Sequence, residues 1–240
     1  MKILRPWLPV LLLALGLFSC DLDDDDNCIR ASTIIVTEQL FLPPLQGLEL
    51  ELPAQLILRQ GPVQQILVEG PQNIVGLLDE DVANGIWRIR IPGCIQDLSQ
   101  LRIVATLPSY RLLTITGAGD VFSETALLTD QLEMSITGQG QMDIAVEAQT
   151  VRASISGAGN YRLEGLADFL EFDLSGAGNL NAFDLDVLEA DLSIIGSGSA
   201  EVFVRDLLRV NISGQGTVFY RGTPQLDVNI SGVGDVIDAN

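Results

Sequence analysis

SISGAGN, residues 154–160, returns as DLSGAGN at 173–179 and in degraded form as SIIGSGS at 193–199. A glycine loop that cradles a phosphate serves one ligand and occurs once; a loop written three times describes architecture. Working outward from it, Gly-x-Gly stands at Gly117/Gly119, Gly138/Gly140, Gly157/Gly159, Gly176/Gly178, Gly196/Gly198, Gly214/Gly216 and Gly232/Gly234. Successive offsets are 21, 19, 19, 20, 18 and 18 residues. Seven units at a near-fixed period, with no helical signature inside any of them, predict a solenoid.

The columns of the alignment say which kind. Two residues before the first glycine stand Ile115, Ile136, Ile155, Leu174, Ile194, Ile212 and Ile230. Four before it stand Leu113, Met134, Ala153, Phe172, Leu192, Val210 and Val228, and four after it Val121, Met142, Tyr161, Leu180, Ala200, Val218 and Val236. The registers between them are mostly Ser, Thr and Asn, with Ile195 an exception. Period two means strands with one face inward. Recurrence of equivalent residues means that each strand stacks parallel and in register on its copy, about 4.8 Å away. The fold class expected is all-β: a single-domain parallel β-helix of 18–21 residues per coil, right-handed like other parallel crossovers. Both glycines of each pair are expected in inward registers, at a corner or crowded wall where a side chain is missing and the backbone takes a positive φ or a tight bend.

Two ligand-binding readings of the glycines fail. A dinucleotide fingerprint needs a third glycine, a following helix and a distal acid. The calcium-binding nonapeptide repeat needs an aspartate in nearly every coil. Here that column reads Asp120, Gln141, Asn160, Asn179, Ser199, Thr217 and Asp235. No metal and no cofactor is expected.

Composition narrows the function. With 13 Lys and Arg against 32 Asp and Glu the formal charge is −19, which excludes nucleic acid as a partner. No histidine occurs, so Ser-His and Cys-His nucleophiles and His-ligated metals are absent from the chemistry available. Any catalysis would run on carboxylates.

The chain opens with Lys2 and Arg5, an apolar run from Val10 to Phe18, and LFSC at 17–20. The run is shorter than the ~20 residues that cross a bilayer, so residues 1–19 read as a secretory signal. LFSC resembles the lipobox of bacterial lipoproteins, in which Cys20 is diacylated and anchors the chain to a membrane. Residues 20–28 follow as a tether, five of the seven residues 21–27 being aspartate. Such a run stays solvated and extended, and behind a lipidated cysteine it also resembles the surface-export signal of Bacteroidetes lipoproteins. Cys28 and Cys94 remain. In an exported protein they form a disulfide or, alternatively, stay as two buried thiols.

Residues 29–110 carry strand-like runs, among them GLELEL, AQLILRQ and IWRIRI, punctuated by prolines. No linker separates them from the repeats. They read as irregular early coils capping one solenoid over 29–240, with 111–240 holding the seven repeats. The lipoprotein signal, the early segment QLILRQGPVQQILVEGPQN, the later NGIWRIRI and the repeated SGAGN together resemble the head GIN domain family of bacterial envelope proteins, named for auto-transporter adhesins. The resemblance implies a β-helical, non-catalytic module at the cell surface, held to the outer membrane by its lipid and binding glycans or envelope or host surface proteins. The sequence leaves the oligomeric state open. The rival class is a β-helical carbohydrate-active enzyme, a polysaccharide lyase or hydrolase. It would need acids converging from neighbouring coils, with Asp143, Glu147, Asp184 and Asp186 as the candidates.

Overall fold

The computed structural model describes residues 28–240. The early segment contains β1 (Ile35–Leu40), β2 (Gly47–Leu50), β3 (Gln55–Gln60), β4 (Gln65–Pro71), the single-turn α1 (Gln72–Val75), β5 (Val82–Ala83), β6 (Ile86–Ile89) and β7 (Arg102–Leu107). The repeats contain β8 (Leu112–Gly117), β9 (Asp120–Ser123), β10 (Leu127–Gly138), β11 (Gln141–Gly157), β12 (Asn160–Gly176), β13 (Asn179–Gly196), β14 (Ser199–Gly214), β15 (Thr217–Arg221), β16 (Gln225–Gly232) and β17 (Asp235–Asp238). Among the described residues no helix is long and apolar enough to cross a membrane.

The repeats form a parallel β-solenoid. Gly117, Gly138, Gly157, Gly176, Gly196, Gly214 and Gly232 lie one over the next, and the isoleucine column two residues earlier stacks with them. Each coil has two walls. One ends at Gly-x-Gly, the other begins there, and a second corner joins them near residue 148 and its equivalents. Inward alternation runs through Met142, Ile144 and Val146, then changes phase at that corner to Val151, Ala153 and Ile155. Unequal coil lengths are absorbed by register shifts on the wall after the glycines, between Arg162 and Glu164 and between Ala182 and Asp186, and at the second corner between Val187 and Glu189. The glycine corner itself stays in register.

The early coils do not stack in chain order. β2 pairs with both β6 and β8, and β3 with both β7 and β9. The coil made by β2 and β3 therefore lies inside the one made later by β6 and β7. After β3 the chain runs out along β4, lays β6 and β7 on the outside, and returns through 108–111 to begin β8. Tyr110 sits buried at that return, its hydroxyl between the carbonyls of Arg59 at 2.9 Å and Ala105 at 2.7 Å. Burial pushes its phenol well above the ordinary range. Antiparallel β4 and β1 close the end beyond β7, as a terminal unit with a templating edge requires.

Candidate functional site

Cys20 and the aspartate run at 21–27 lie outside the described residues. Cys28 and Cys94 are joined by a disulfide, 66 residues apart in sequence. Next to it Ile29 N–H donates to the Cys94 carbonyl at 2.8 Å and Gln96 N–H to the Ile29 carbonyl at 3.1 Å. The start of the described chain is thereby fixed to the outermost early coil.

The two glycines of each pair do different things, and only the second faces inward. Gly119, Gly140, Gly159, Gly178, Gly198 and Gly216 are buried, and Gly234 is half-buried at the end of the stack. Of the two alternatives expected, a positive φ or a tight bend, this column has the bend. None of these seven lies in a strand or has a left-handed φ, and each falls in the two-residue break between one wall and the next.

Close approach of the coil below is what reserves them for glycine. A Cβ on Gly119 would stand 2.5 Å from Leu50 Cδ2, one on Gly140 2.7 Å from the Gly119 oxygen, and one on Gly159 2.5 Å from Ile136 Cγ2. On Gly178 it would stand 2.3 Å from the Gly159 carbonyl oxygen and 2.9 Å from Ile155 Cγ2. On Gly198 it would run into the Gly178 oxygen and Leu174, on Gly216 it would lie 2.5 Å from Ile194 Cγ2, and on Gly234 2.6 Å from the Gly216 oxygen.

The first glycine lies out at the corner with φ between 118° and 142° across the seven coils, a region that side chains rarely enter. Parity counting expected it inward, and the turn takes it out of the inward face. The amide that follows it is spent on the coil below. Ala158 N–H donates to the Gly138 carbonyl, Ala177 N–H to Gly157 and Gln215 N–H to Gly196, each at 2.8 Å. Amides spent on the coil below cannot cradle an anion. The column after the glycines is partly self-satisfied too: Asn179 Nδ2 donates to Asn160 Oδ1 and Ser199 Oγ to Asn179 Oδ1, both at 2.8 Å. Among the described residues no three acids or thiols stand together as a metal site would require.

The candidate acids fall in several registers, and none of them is the direct register partner of another. Asp143 stacks on Arg162, and Asp184 beside Glu164. Glu147 stacks on Leu166, and Leu166 on Asp186. Asp186 is engaged by the Arg205 guanidinium in an ion pair. Asp173 is the carboxyl held above its ordinary range, by burial first and then by Glu171 and Asp191. It belongs to the outward Ser/Asn register of the other wall, so it is not paired with the corner acids.

What the second corner does assemble is a groove of ≈ 430 Å³ bordered by Leu128, Glu147, Leu166, Asp168, Leu188 and Arg205. Leu128 is 56% exposed and Leu166 53%, with Leu188 also on the surface. Along the register the order is Leu128, Glu147, Leu166, Asp186, apolar and acidic by turns from coil to coil. Among the described residues Glu147 and Asp168 have no salt-bridge partner. Ungrouped surface leucines are ordinary, whereas a row of them along one groove marks a contact surface. The sequence reading missed this groove because its leucines sit at the phase change, where no column was aligned.

The fold is that of a β-solenoid module with a groove along its second corner. Residues 44–224 match the family described as putative auto-transporter adhesin, head GIN domain, and the chain belongs to that family. Among solved structures, a putative adhesin from Bacteroides fragilis superposes with a TM-score of 0.83 at 24% identity, covering 87% of this chain and 99% of that one. A putative lipid binding protein from Parabacteroides distasonis gives a TM-score of 0.75 at 17% identity, over 88% of this chain and 100% of its own. A putative adhesin from Parabacteroides merdae gives 0.71 at 16%, over 88% and 100%. At these identities the likeness is one of fold. No curated protein matches the chain.

Proposed function

We propose that this chain is a non-catalytic, adhesin-like lipoprotein, anchored at the outer membrane through Cys20 and carried to the cell surface. There its corner groove binds glycans or surface proteins of the envelope or a host. The observation that supports this most is the groove itself: exposed leucines alternate with carboxylates, and one of those carboxylates, Asp186, is paired with Arg205. Glycoside cleavage needs two carboxyl groups facing one bond with one of them kept protonated. A contact surface needs apolar anchors with a polar rim, and the groove has those. The family membership supports an adhesin-like role in the same direction.

The test is a screen of the full chain against immobilised glycans and surface proteins, repeated with Leu166→Asp. Because Leu166 is exposed, the variant keeps its fold, and a ligand held by the groove is lost on substitution. Equal retention by parent and variant would reject the groove, and a shortened polysaccharide in the screen would reject the non-catalytic reading. For the address, Asp23, Asp24, Asp25 and Asp26 all changed to alanine should keep the chain membrane-bound but hide it from protease added to intact cells. Shaving at the parent's rate would reduce the acidic run to a spacer.

A further inference from the structure

The two ends of the solenoid are treated differently. Beyond β7 the core is covered by β4, β1 and α1, and the disulfide fastens the incoming chain there. At the opposite end, β16 and β17 are an ordinary coil with the same Gly-x-Gly corner as the six before it. Leu208, Val210 and Ile212 are 0%, 1% and 2% exposed, and the residues stacked on them, Leu226, Val228 and Ile230, are 42%, 40% and 39% exposed. Among the described residues β16 pairs only with β14 and β17 only with β15, so neither has a strand on its outer edge. Within the described residues this end presents a core in section and a row of unmatched backbone donors and acceptors, which native sheets otherwise cover, shorten or charge.

β16 reads Gln225, Leu226, Asp227, Val228, Asn229, Ile230, Ser231, and it is close to palindromic about Val228. In an antiparallel pair, directly opposed residues share a face. A two-fold axis at Val228 then sets Val228 against its own copy and Leu226 against Ile230 on the inward face. On the outward face it sets Asp227 against Asn229 and Gln225 against Ser231. No carboxylate meets its own copy, although the chain carries a net charge of −19. Asn229 spends one amide hydrogen on Asn211 Oδ1 at 3.3 Å and retains a second for the opposed Asp227. A strand from an unrelated partner has no reason to meet that pattern, and a second copy meets it at every position.

We infer that the open end is a homophilic contact: two copies of this chain join tail to tail, β16 against β16, into a two-fold dimer whose fastened ends point away from each other. Self-complementary patches of this kind are what two-fold assemblies use. If the N-terminal anchoring proposed above holds, such a dimer links two opposed membranes. The pairing itself does not depend on that anchoring or on what the corner groove binds.

The test is oxidative cross-linking of the full chain, purified in detergent and compared with the parent. Val228→Cys should convert most of the chain into a reducible species of twice the mass. Asp227→Cys and Asn229→Cys should cross-link when mixed and remain monomeric when each is oxidised alone, which reads the register directly. Val233→Cys, exposed at the same end but outside β16, should stay monomeric, and Ile230→Lys introduced into the Val228→Cys chain should abolish its dimer. A monomeric Val228→Cys chain overturns the proposal, as does equal cross-linking through Val233→Cys. Neither result touches the groove reading, which stands or falls on ligand retention by the Leu166→Asp variant.

Discussion

Three alanines placed in the glycine columns separate two costs that most glycine substitutions confound. Gly117 has φ +118° and nothing within 4 Å of the position a Cβ would take, so Gly117→Ala meets backbone strain alone. Gly178 has no left-handed φ, but its Cβ would stand 2.3 Å from the Gly159 oxygen and 2.9 Å from Ile155 Cγ2, so Gly178→Ala meets a steric clash alone. Gly176 has both, with φ +138° and a Cβ 2.2 Å from the Gly157 oxygen. That oxygen also accepts from Ala177 N–H at 2.8 Å, so the clash cannot be relieved without loosening the ladder between coils. Strain of this kind costs about 1–3 kcal/mol and overpacking about 1–3 kcal/mol, so Gly176→Ala should lose roughly 2–6 kcal/mol and each of the others about half of that. In a domain of this size 1 kcal/mol moves Tm by roughly 2–4 °C. The assay is thermal unfolding followed by circular dichroism, with the corner variant Ala177→Ser as a neutral reference. If Gly117→Ala falls as far as Gly176→Ala, stacking clash is not what reserves these columns for glycine.

Two other outcomes are expected. Reduction of the Cys28–Cys94 bridge, which spans 66 residues, should lower stability by up to about 4 kcal/mol on the chain-entropy account, leaving the β spectrum of the repeats intact; identical melts with and without reductant would contradict it. Asp173 is held above the ordinary carboxylate range, so the folded state binds its proton more readily than the unfolded state does. Stability therefore falls as pH rises through and beyond that range. Asp173→Asn, which removes a carboxylate from beside Glu171 and Asp191 and adds an amide to a Ser/Asn register, should raise Tm at pH 7 by the equivalent of about 0.2–1 kcal/mol, with no gain at pH 3. A gain of the same size at both pH values would show that charge is not the cause.

The repeats were legible because stacking in register imposes the same demand on every coil. A carbonyl beneath each inward glycine from Gly140 to Gly234 is another glycine's carbonyl, so the requirement propagates and the sequence repeats it. Where a demand is local it leaves no pattern. Gly165 has φ +117° and a Cβ position 2.1 Å from the Val146 oxygen, yet its register neighbours are Val146 and Leu185, and nothing in the alignment singled it out. The order of the early coils was hidden for a related reason. GLEL at Gly47–Leu50 and IWRI at Ile86–Ile89 present similar alternation, and the backbone bonds that join them to each other, and GLEL to β8, carry no side-chain information. Period two identifies strands but is silent about which strand lies beside which.

The corner groove shows what a phase change conceals. Counted back in twos from Ile136, Leu174 and Ile194, residues Leu128, Leu166 and Leu188 all fall in inward registers, and a periodic reading would bury them. The structure instead turns Leu127, Ala167 and Val187 inward and leaves their neighbours outside. The shift of one residue belongs to this corner alone: at Gly-x-Gly the chain turns with Ile155, Gly159 and Tyr161 all buried and the phase unchanged. Leucines ejected in this way contribute nothing to the core they appear to belong to, so their retention in three coils calls for an explanation outside folding. Substitution distinguishes the two possibilities. A core leucine replaced by aspartate unfolds a coil, whereas Leu166→Asp should leave the melting temperature unchanged while removing whatever the groove holds.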